Sequence, residues 1–527
     1  MLKKQLLGIT LVLLCFSIET KAQNQNIKND VFWDTKDGLP IYSQGGGVFK
    51  FKDPKDGIEK YFWYGVHYEE AEKYRKEPVK KYDHCTFKSV SCYSSTDLVN
   101  WTFEGDVLME ATANPDGRRT WVGRLGVAFV KEINKYALFV QHGNQVLVAL
   151  ADSPVGNFIW HQKINMQPWI GTTNTGDQTV FTDEDGKSYL IYSYGQGRNK
   201  IYVSEIGVKD GKVTILDCTK IFQGASREGN CMFKYKNKYY MAASNIYGWD
   251  ASFAYYLVSD NIRGPYLPTN DMQIMPGSEE DYAHVTQTGF FYTIKQKDKE
   301  TVLYCGDRWA DFAGNGLGYN QWFPLSFNGS EPYFNSLSSW NLDEKTGNWN
   351  VAADNNYVKN GSFEADRNKI PSSFKPVQEQ LLGWKTEIIK GNKISITDKN
   401  SPQLNYFNTE EDRKEVIGEK SLNITDTIDF TREISQEISS TPYVILEDGV
   451  YVFTAKVKNS PGFSELKIYA NSGGVEYKVD MKDENVSWKT IRIDDVLVKN
   501  GKITIGFFAN GTANAFCLID DVTLVKK

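Results

Sequence analysis

Five polar residues stand directly ahead of apolar, strand-like runs. They are Gln44 before GGGVFKF, Arg124 before LGVAFVKE, Asp177 before QTVFTDEDG, Glu228 before GNCMFKY and Gln287 before TGFFYTI. The set comprises two carboxylates, a guanidinium and two amides, types that move protons and bind hydroxyl groups. Two carboxyl groups in one pocket can divide general-acid work. One keeps a proton near neutral pH for a leaving oxygen, and the other raises that proton's affinity by like-charge proximity. Glu228 has the longer reach and suits the donor; Asp177 suits tuning and orientation. Such a pair is the minimal apparatus for cleaving a glycosidic bond. The competing reading pairs Glu228 with the adjacent Arg227 in a loop.

A repeated hairpin must position these residues. In GDQTVFTDEDGKSYLIYS, Val180 and Phe181 begin an apolar strand, Asp185-Gly186 supplies a tight turn, and Tyr189 to Tyr192 form the return strand. Return strands recur near 61, 135, 187, 237 and 301, spaced at about the length of a four-stranded propeller blade. Third-strand runs follow, such as CYSSTDLVNW, QVLVALADSP, IYVSEIGV and FAYYLVSD. Helical periodicity of any length is missing between Asp30 and Asn350, where Tyr, Val, Phe and Ile dominate. The reading is all-β: a five-bladed β-propeller over 31–350, whose leading residues share one offset in successive repeats and converge on a central pocket. Residues 24–30 read as a polar leader, the charged run at 69–84 as a solvated loop or short helix, and Asp354-Asn355-Asn356 as a linker. From Tyr357 onward, alternating runs such as YVFTAKV, LKIYA and ITIGFFA predict a β-sandwich of jelly-roll type over 357–527.

The net charge of -6, with no basic stripe, argues against a nucleic-acid partner. Aromatic residues make up 14% of the chain, and sugar-binding pockets use ring faces. Trp121, Trp249 and Trp309 are the substrate-binding aromatics, with Gln44, Arg124 and His284 lining the same pocket; blade packing is the bland alternative for each Trp, and a structural role for His284. Lys3 and Lys4, an apolar run from Leu6 to Ile18 too short to span a bilayer, and Thr20-Lys21-Ala22 read as a signal peptide over 1–22. The expected product is exported without a membrane span, and the bulky Leu13-Leu14 before Cys15 disfavours lipid anchoring. Of the six remaining cysteines none has zinc-site spacing; Cys85 and Cys92 could bridge a hairpin, while Cys231 and Cys305 read as small core residues. Asp183-Glu184-Asp185-Gly186 lacks the context of a calcium loop, and the glycines at 314–318 lack that of a dinucleotide site.

The run SREGNCMFKYKNKYYMAASN, with GDQTVFTDEDGKSYLIYS, GGGVFKF and GDRW, resembles glycoside hydrolase family 43, a five-bladed propeller family of inverting enzymes. The resemblance covers roughly 31–350 and implies that Glu228 is the acid and Asp177 its tuning residue. The family's first-blade Asp, its usual base, is absent, for Ser43-Gln44-Gly45-Gly46-Gly47 stands there. That departure resembles the exo-β-1,3-galactanase branch, which implies that Gln287, in HVTQTGFF, orients the attacking water or acts through a tautomer. Gly123, where those galactanases carry an acidic residue, leaves an arabinofuranosyl or galactofuranosyl substrate open. The C-terminal NGSFE, Gly383-Trp384 and Ile519-Asp520-Asp521 resemble jelly-roll carbohydrate-binding modules, implying a structural calcium held by Glu364 and Asp520. Trp384, Tyr406 and Trp488 are binding aromatics or core. The expectation is an exported, inverting exo-acting hydrolase that needs no cofactor and removes a terminal sugar, with galactose from a β-1,3-galactan first. A binding propeller without catalysis is the rival from another class.

Overall fold

The structure, a computed structural model, describes residues 26–527 apart from 81, 83, 249–251, 269–270, 280–285, 310–319, 366–379, 396–397 and 399. The expectations for the signal peptide, Cys15, Trp249, His284 and the glycines at 314–318 fall outside the described residues.

The molecule is built almost wholly of β-strands. Each repeat folds as an antiparallel meander in which opening, return, third and outer strands pair in chain order. The first sheet comprises Gln44–Lys52, Glu59–Tyr68, Phe87–Ser95 and Thr102–Met109. The second comprises Val122–Val130, Lys135–His142, Gln145–Ala151 and Ile159–Ile164. In the third, Thr175–Thr182, Ser188–Tyr194 and Lys200–Lys209 are followed by Lys212–Ile215 and Thr219–Gln223, which both pair with the third strand. Glu228–Tyr235, Lys238–Ser244, Tyr255–Ser259 and Gln273–Ile274 form the fourth, and Gln287–Gln296, Lys299–Asp307, Asn320–Asn328 and Glu331–Phe334 the fifth. Every opening strand lies against the opening strand of the next sheet, and the fifth returns to the first. The mouth residues therefore gather at one end of a ring.

Aromatic packing closes that ring. Trp33, Trp63, Trp101 and Trp322 bring the first and fifth sheets together edge-on or tilted, with centroids 5.0 to 5.9 Å apart. Truncating one such buried ring to alanine typically costs about 3–5 kcal/mol. At the ring's opposite end, a cavity of about 330 Å³ lies between Phe51, Phe181, Phe233 and Tyr292. It is at the far ends of the same strands from Glu228, so it is separate from the mouth.

The local expectations fare differently. Asn26–Lys28, read as part of a polar leader, is a strand paired with Ser339–Asp343, which supplies partners for backbone groups that an open edge would leave exposed. The charged run forms a helix over Glu69–Lys76, with acids in its first turn and bases in its last, in accord with the helix dipole. It is only partly solvated, since the buried Glu70 accepts bonds from the Thr86 N–H and hydroxyl. Nor is the linker loose: Asn355 accepts bonds from the N–H groups of Ser338 and Ser339, and Asn356 exchanges bonds with Val522 and Leu524. All six described cysteines are unpaired, which removes the Cys85–Cys92 bridge, and Cys231 and Cys305 are buried in the core.

The C-terminal part stacks two five-stranded antiparallel sheets. One has the order Lys385–Lys390, Phe430–Ser439, Lys502–Gly511, Phe463–Ser472, Val475–Asp480. The other runs Asn405–Phe407, Lys420–Thr425, Phe516–Lys526, Gly449–Asn459, Asn485–Val498. Alternation along Gly449–Asn459 sends Tyr451, Phe453, Ala455 and Val457 into the core between them. Trp384 belongs to that core, whereas Tyr406 and Trp488 are half-buried and both donate to Asp412. Among the described residues, no helix is long and apolar enough to cross a membrane.

Candidate active site

The five opening strands share one irregularity at the mouth. Pairing with the return strand holds at Gln44, Val122, Thr175, Glu228 and Gln287, then slips, and resumes at Gly47, Leu125, Gln178, Cys231 and Phe290. Between those points two residues oppose one, which is a β-bulge that twists the strand and re-aims its side chains. The single-offset expectation is thereby corrected. Gln44, Glu228 and Gln287 hold the last paired position, while Arg124 and Asp177 are the second residues of their bulges.

Bulge geometry explains the glycines. A Cβ on Gly46 would lie 1.7 Å from the carbonyl oxygen of Tyr64, so the first sheet has no room there for a carboxylate-bearing side chain. Gly229 adopts a φ of +58°, and its N–H donates to Asp177 Oδ2 at 2.7 Å.

The mouth residues form one bonded group. Arg124, nearly inaccessible at 3% exposure, donates to Asp307 Oδ2 and to Gln287 Oε1 (2.8 Å), with its Nε 3.5 Å from Asp177 Oδ2. Asp177 Oδ1 also accepts from Gln141 Nε2 (3.4 Å) and Arg198 Nη1 (3.2 Å). The same Arg198 Nη1 reaches Glu228 Oε1 at 2.5 Å. Gln287 Nε2 donates to Glu228 Oε2 at 3.2 Å, and Trp309 Nε1 donates to Gln287 Oε1 at 2.7 Å. Asp177 and Glu228 are thus side by side, bridged by one guanidinium, rather than on opposite walls. The Arg227 alternative fails, because Arg227 is held by Asn245 and Asp271 and stacks on Tyr255.

These surroundings separate the two carboxyl groups. Burial and then the charge of Asp177 push Glu228 up to about 7, against the opposing effects of Arg198, Arg124 and the Gln287 amide. Burial acts on Asp177 in the same upward sense, but Arg198, Arg124, the Gly229 N–H and Gln141 outweigh it and hold its carboxyl below the ordinary value. One group can therefore carry a proton near neutrality while its neighbour stays ionised. Glu228 keeps 15% of its side chain exposed at the mouth.

The other expected residues are placed less simply. Trp121 lies over Gly123, where an added Cβ would meet its ring at 2.2 Å. Trp309 lies 5.6 Å below the Arg124 guanidinium and bonds Gln287. Gln44 is buried at the first mouth, beside the Gly45 N–H that donates to Asp307 Oδ1 at 3.0 Å. Three residues of the group went unassigned from sequence. Gln141 is the residue opposite the second sheet's bulge, Asp307 pairs across from Gln287, and Arg198 sits in the turn after Ser188–Tyr194 with a left-handed φ of +51°. The first two could have been found by reading the ends of the return strands as closely as the starts of the opening ones.

In the sandwich, Glu364 accepts from the Lys420 N–H (2.8 Å), and Asp520 Oδ2 from Ser421 Oγ (2.8 Å). Asp520 is fully buried; burial, then Asp521 and Glu364, push its carboxyl well above the usual range. Among the described residues, no three His, Cys, Asp or Glu side chains meet as a metal-binding set. The buried, mutually repelling oxygens of Glu364 and Asp520 do suit a hard cation.

A ring of five sheets that brings a raised carboxyl and a lowered one together at its mouth defines an all-β protein with a paired-carboxyl site. Residues 79–317 match the family Glycosyl hydrolases family 43. An arabinoxylan arabinofuranohydrolase of Paenibacillus polymyxa is 26% identical over 220 residues, 36% of this chain and 34% of the relative. One from Bacillus subtilis is 28% identical over 134 residues, 22% and 26% of the respective chains. The chain thus spans about a third or less of the length of these curated relatives. Its fold is similar to that of an exo-beta-1,3-galactanase from Phanerochaete chrysosporium, solved with beta-1,3-galactotriose, at TM-score 0.52 and 19% identity, covering 94% of this chain and all of that one. An exo-beta-1,3-galactanase from Clostridium thermocellum aligns at TM-score 0.53 and 20% identity, covering 90% and 100%.

Proposed function

We propose that this chain is an exported, inverting exo-glycoside hydrolase. The ring is its five-bladed β-propeller catalytic domain, over 31–350, and the sandwich, over 357–527, is a carbohydrate-binding-like module. Five meanders in cyclic contact, and the whole-chain likeness to two exo-beta-1,3-galactanases, support the architecture. The observation that carries the activity is Glu228, half-buried beside Asp177, with its carboxyl raised to about 7.

Glu228 gives its proton to the leaving glycosidic oxygen, and the bond from that oxygen to the anomeric carbon breaks. Water attacks the anomeric carbon from the opposite face and releases a proton to solvent, giving inversion. Asp177, anchored by Arg198, Arg124 and the Gly229 N–H, keeps the proton on Glu228 until it is needed. Gln287 orients the water. In the sandwich, Glu364 and Asp520 would hold a calcium ion that neutralises their buried charge.

The preferred substrate is a β-1,3-galactan of the arabinogalactan type, losing terminal galactose; it is favoured by the fold likeness to two exo-beta-1,3-galactanases. A second reading, release of arabinofuranose or galactofuranose, is favoured by the arabinofuranohydrolase relatives and by Gly123 in place of an acid. Incubation with galactan, arabinan, arabinogalactan and aryl glycosides, followed by identification of the sugar released, separates the two. Glu228→Gln should abolish release; binding with no turnover by the wild type would leave a lectin.

A further inference from the structure

The amide of Gln287 has two chemically different ends, and its surroundings fix which faces where. Its oxygen accepts from Arg124 Nη2 at 2.8 Å and from Trp309 Nε1 at 2.7 Å. A guanidinium and an indole N–H only donate, so neither bond can reverse, and together they occupy both lone pairs of the carbonyl oxygen. The nitrogen is left facing Glu228 Oε2 at 3.2 Å. An imidic tautomer would turn the oxygen into an O–H group aimed at two donors. The clamp is itself held from behind. Asp307 binds Arg124 Nη1 with one oxygen and the Gly45 N–H with the other, and the Arg124 guanidinium stacks over Trp309. Arg124, Gln287, Asp307 and Trp309 are all buried.

We infer that Trp309 and the Asp307–Arg124 pair are positioning residues that lock Gln287 as a hydrogen-bond donor, so that its N–H edge holds Glu228 and its oxygen takes no proton during the reaction. The inference rests on the reading of Glu228 as the acid. It deepens that reading by assigning Gln287 to donation and excluding it as the base. The groups facing Glu228 are Asp177, Arg198, Arg124 and the Gln287 amide; the Trp309 indole N–H bonds the amide, while Arg124 meets only the Trp309 ring face.

Full-length Trp309→Phe keeps a ring beneath Arg124 and removes the indole donor. Freed of one anchor, the amide should bond Glu228 less well. That bond favours the ionised carboxylate, so the basic limb of kcat/KM should move to higher pH. The kcat should fall about tenfold to a hundredfold, the range for small misplacements of a reacting group, with KM changed less than about twofold. A lower Tm with an unmoved pH profile and unchanged kcat would overturn the proposal. Gln287→Glu supplies the opposing test. A donor role predicts a loss of at least about a hundredfold, because a carboxylate then faces Glu228. Activity within about tenfold of wild type together with a new acidic limb would show a proton acceptor and overturn the proposal. Titration of the Glu228 carboxyl by 13C NMR in the wild type and Trp309→Phe needs no turnover. It should rise in the variant, and no rise overturns the clamp even if the protein releases no sugar, an outcome that by itself sinks only the hydrolase reading.

Discussion

Carboxylates gather both at the ring mouth and inside the sandwich, and the two clusters are neutralised in different ways. At the ring mouth, Asp177, Glu228 and Asp307 are threaded by the guanidinium groups of Arg124 and Arg198. Delocalised cations with fixed forks hold two of the acids firmly and leave Glu228, the most accessible, with a proton to give. In the sandwich, the Glu364 carboxylate accepts from the Lys420 backbone N–H, Asp520 accepts from Ser421 and Asn408, and the Lys456 ammonium reaches Asp521 at 3.4 Å. Burial raises both Asp520 and Asp521. Repulsion between acids is common to both clusters. In the ring it raises Glu228 at a mouth that leaves 15% of that side chain exposed; in the sandwich it raises Asp520, which is fully buried, beside an Asp521 that keeps 21% of its side chain exposed.

The comparison breaks most sharply at Glu228. Glu228→Gln should lower sugar release by about 10² to 10⁴, the span of a lost general acid, while polysaccharide affinity by calorimetry is retained. Equal turnover in variant and wild type would remove the distinction between the clusters.

Two neighbouring substitutions should move the same acid in opposite directions. Asp177→Asn removes a charge that raises Glu228, so the basic limb of kcat/KM should shift to lower pH. Arg198→Gln removes a charge that lowers it, so that limb should shift to higher pH. A shift of one unit corresponds to about 1.4 kcal/mol between protonation states. Parallel shifts, or none, would show that the bridge does not control the proton.

The smallest effect is expected in the sandwich, on stability alone. The carboxyls of Asp520 and Asp521 are raised in the folded state, so the native protein binds more protons than the unfolded chain does. Stability should then fall as pH rises above the ordinary carboxylate range near about 4. In chelator, the Tm should drop between about pH 5 and pH 8, and calcium should restore it, by about 2.7 kcal/mol at a hundredfold excess over its Kd. Asp520→Asn should lose the calcium response with kcat unchanged. A Tm indifferent to both pH and calcium would leave the acids as an uncompensated structural cluster.

Much of this was legible in the chain, because a hairpin announces itself by composition. Alternation, Asp-Gly turns and aromatic return strands located all five meanders, and the residue ahead of each apolar run located Asp177, Glu228 and Gln287. The bulges went unread, although a glycine stands in each of them, because a glycine ahead of a strand marks a turn as readily as a bulge. They separate Arg124 and Asp177, two residues past the last paired position, from Glu228 and Gln287, which hold it. Arg198 escaped because it enters from a turn, and Asp307 because it ends a return strand, although it lies within the GDRW run of the family resemblance. The paired edge at Asn26–Lys28 was missed because a short polar run becomes a strand only when a partner distant in sequence is there to meet it.

The central claim is that Asp177 and burial hold a proton on Glu228 near neutral pH. Its most direct test is the 13C NMR titration of the Glu228 carboxyl in the full-length wild type and in Asp177→Asn. The account predicts a midpoint near 7 in the wild type and a lower one in the variant. A midpoint at the ordinary glutamate value of about 4.3 in both proteins would contradict it.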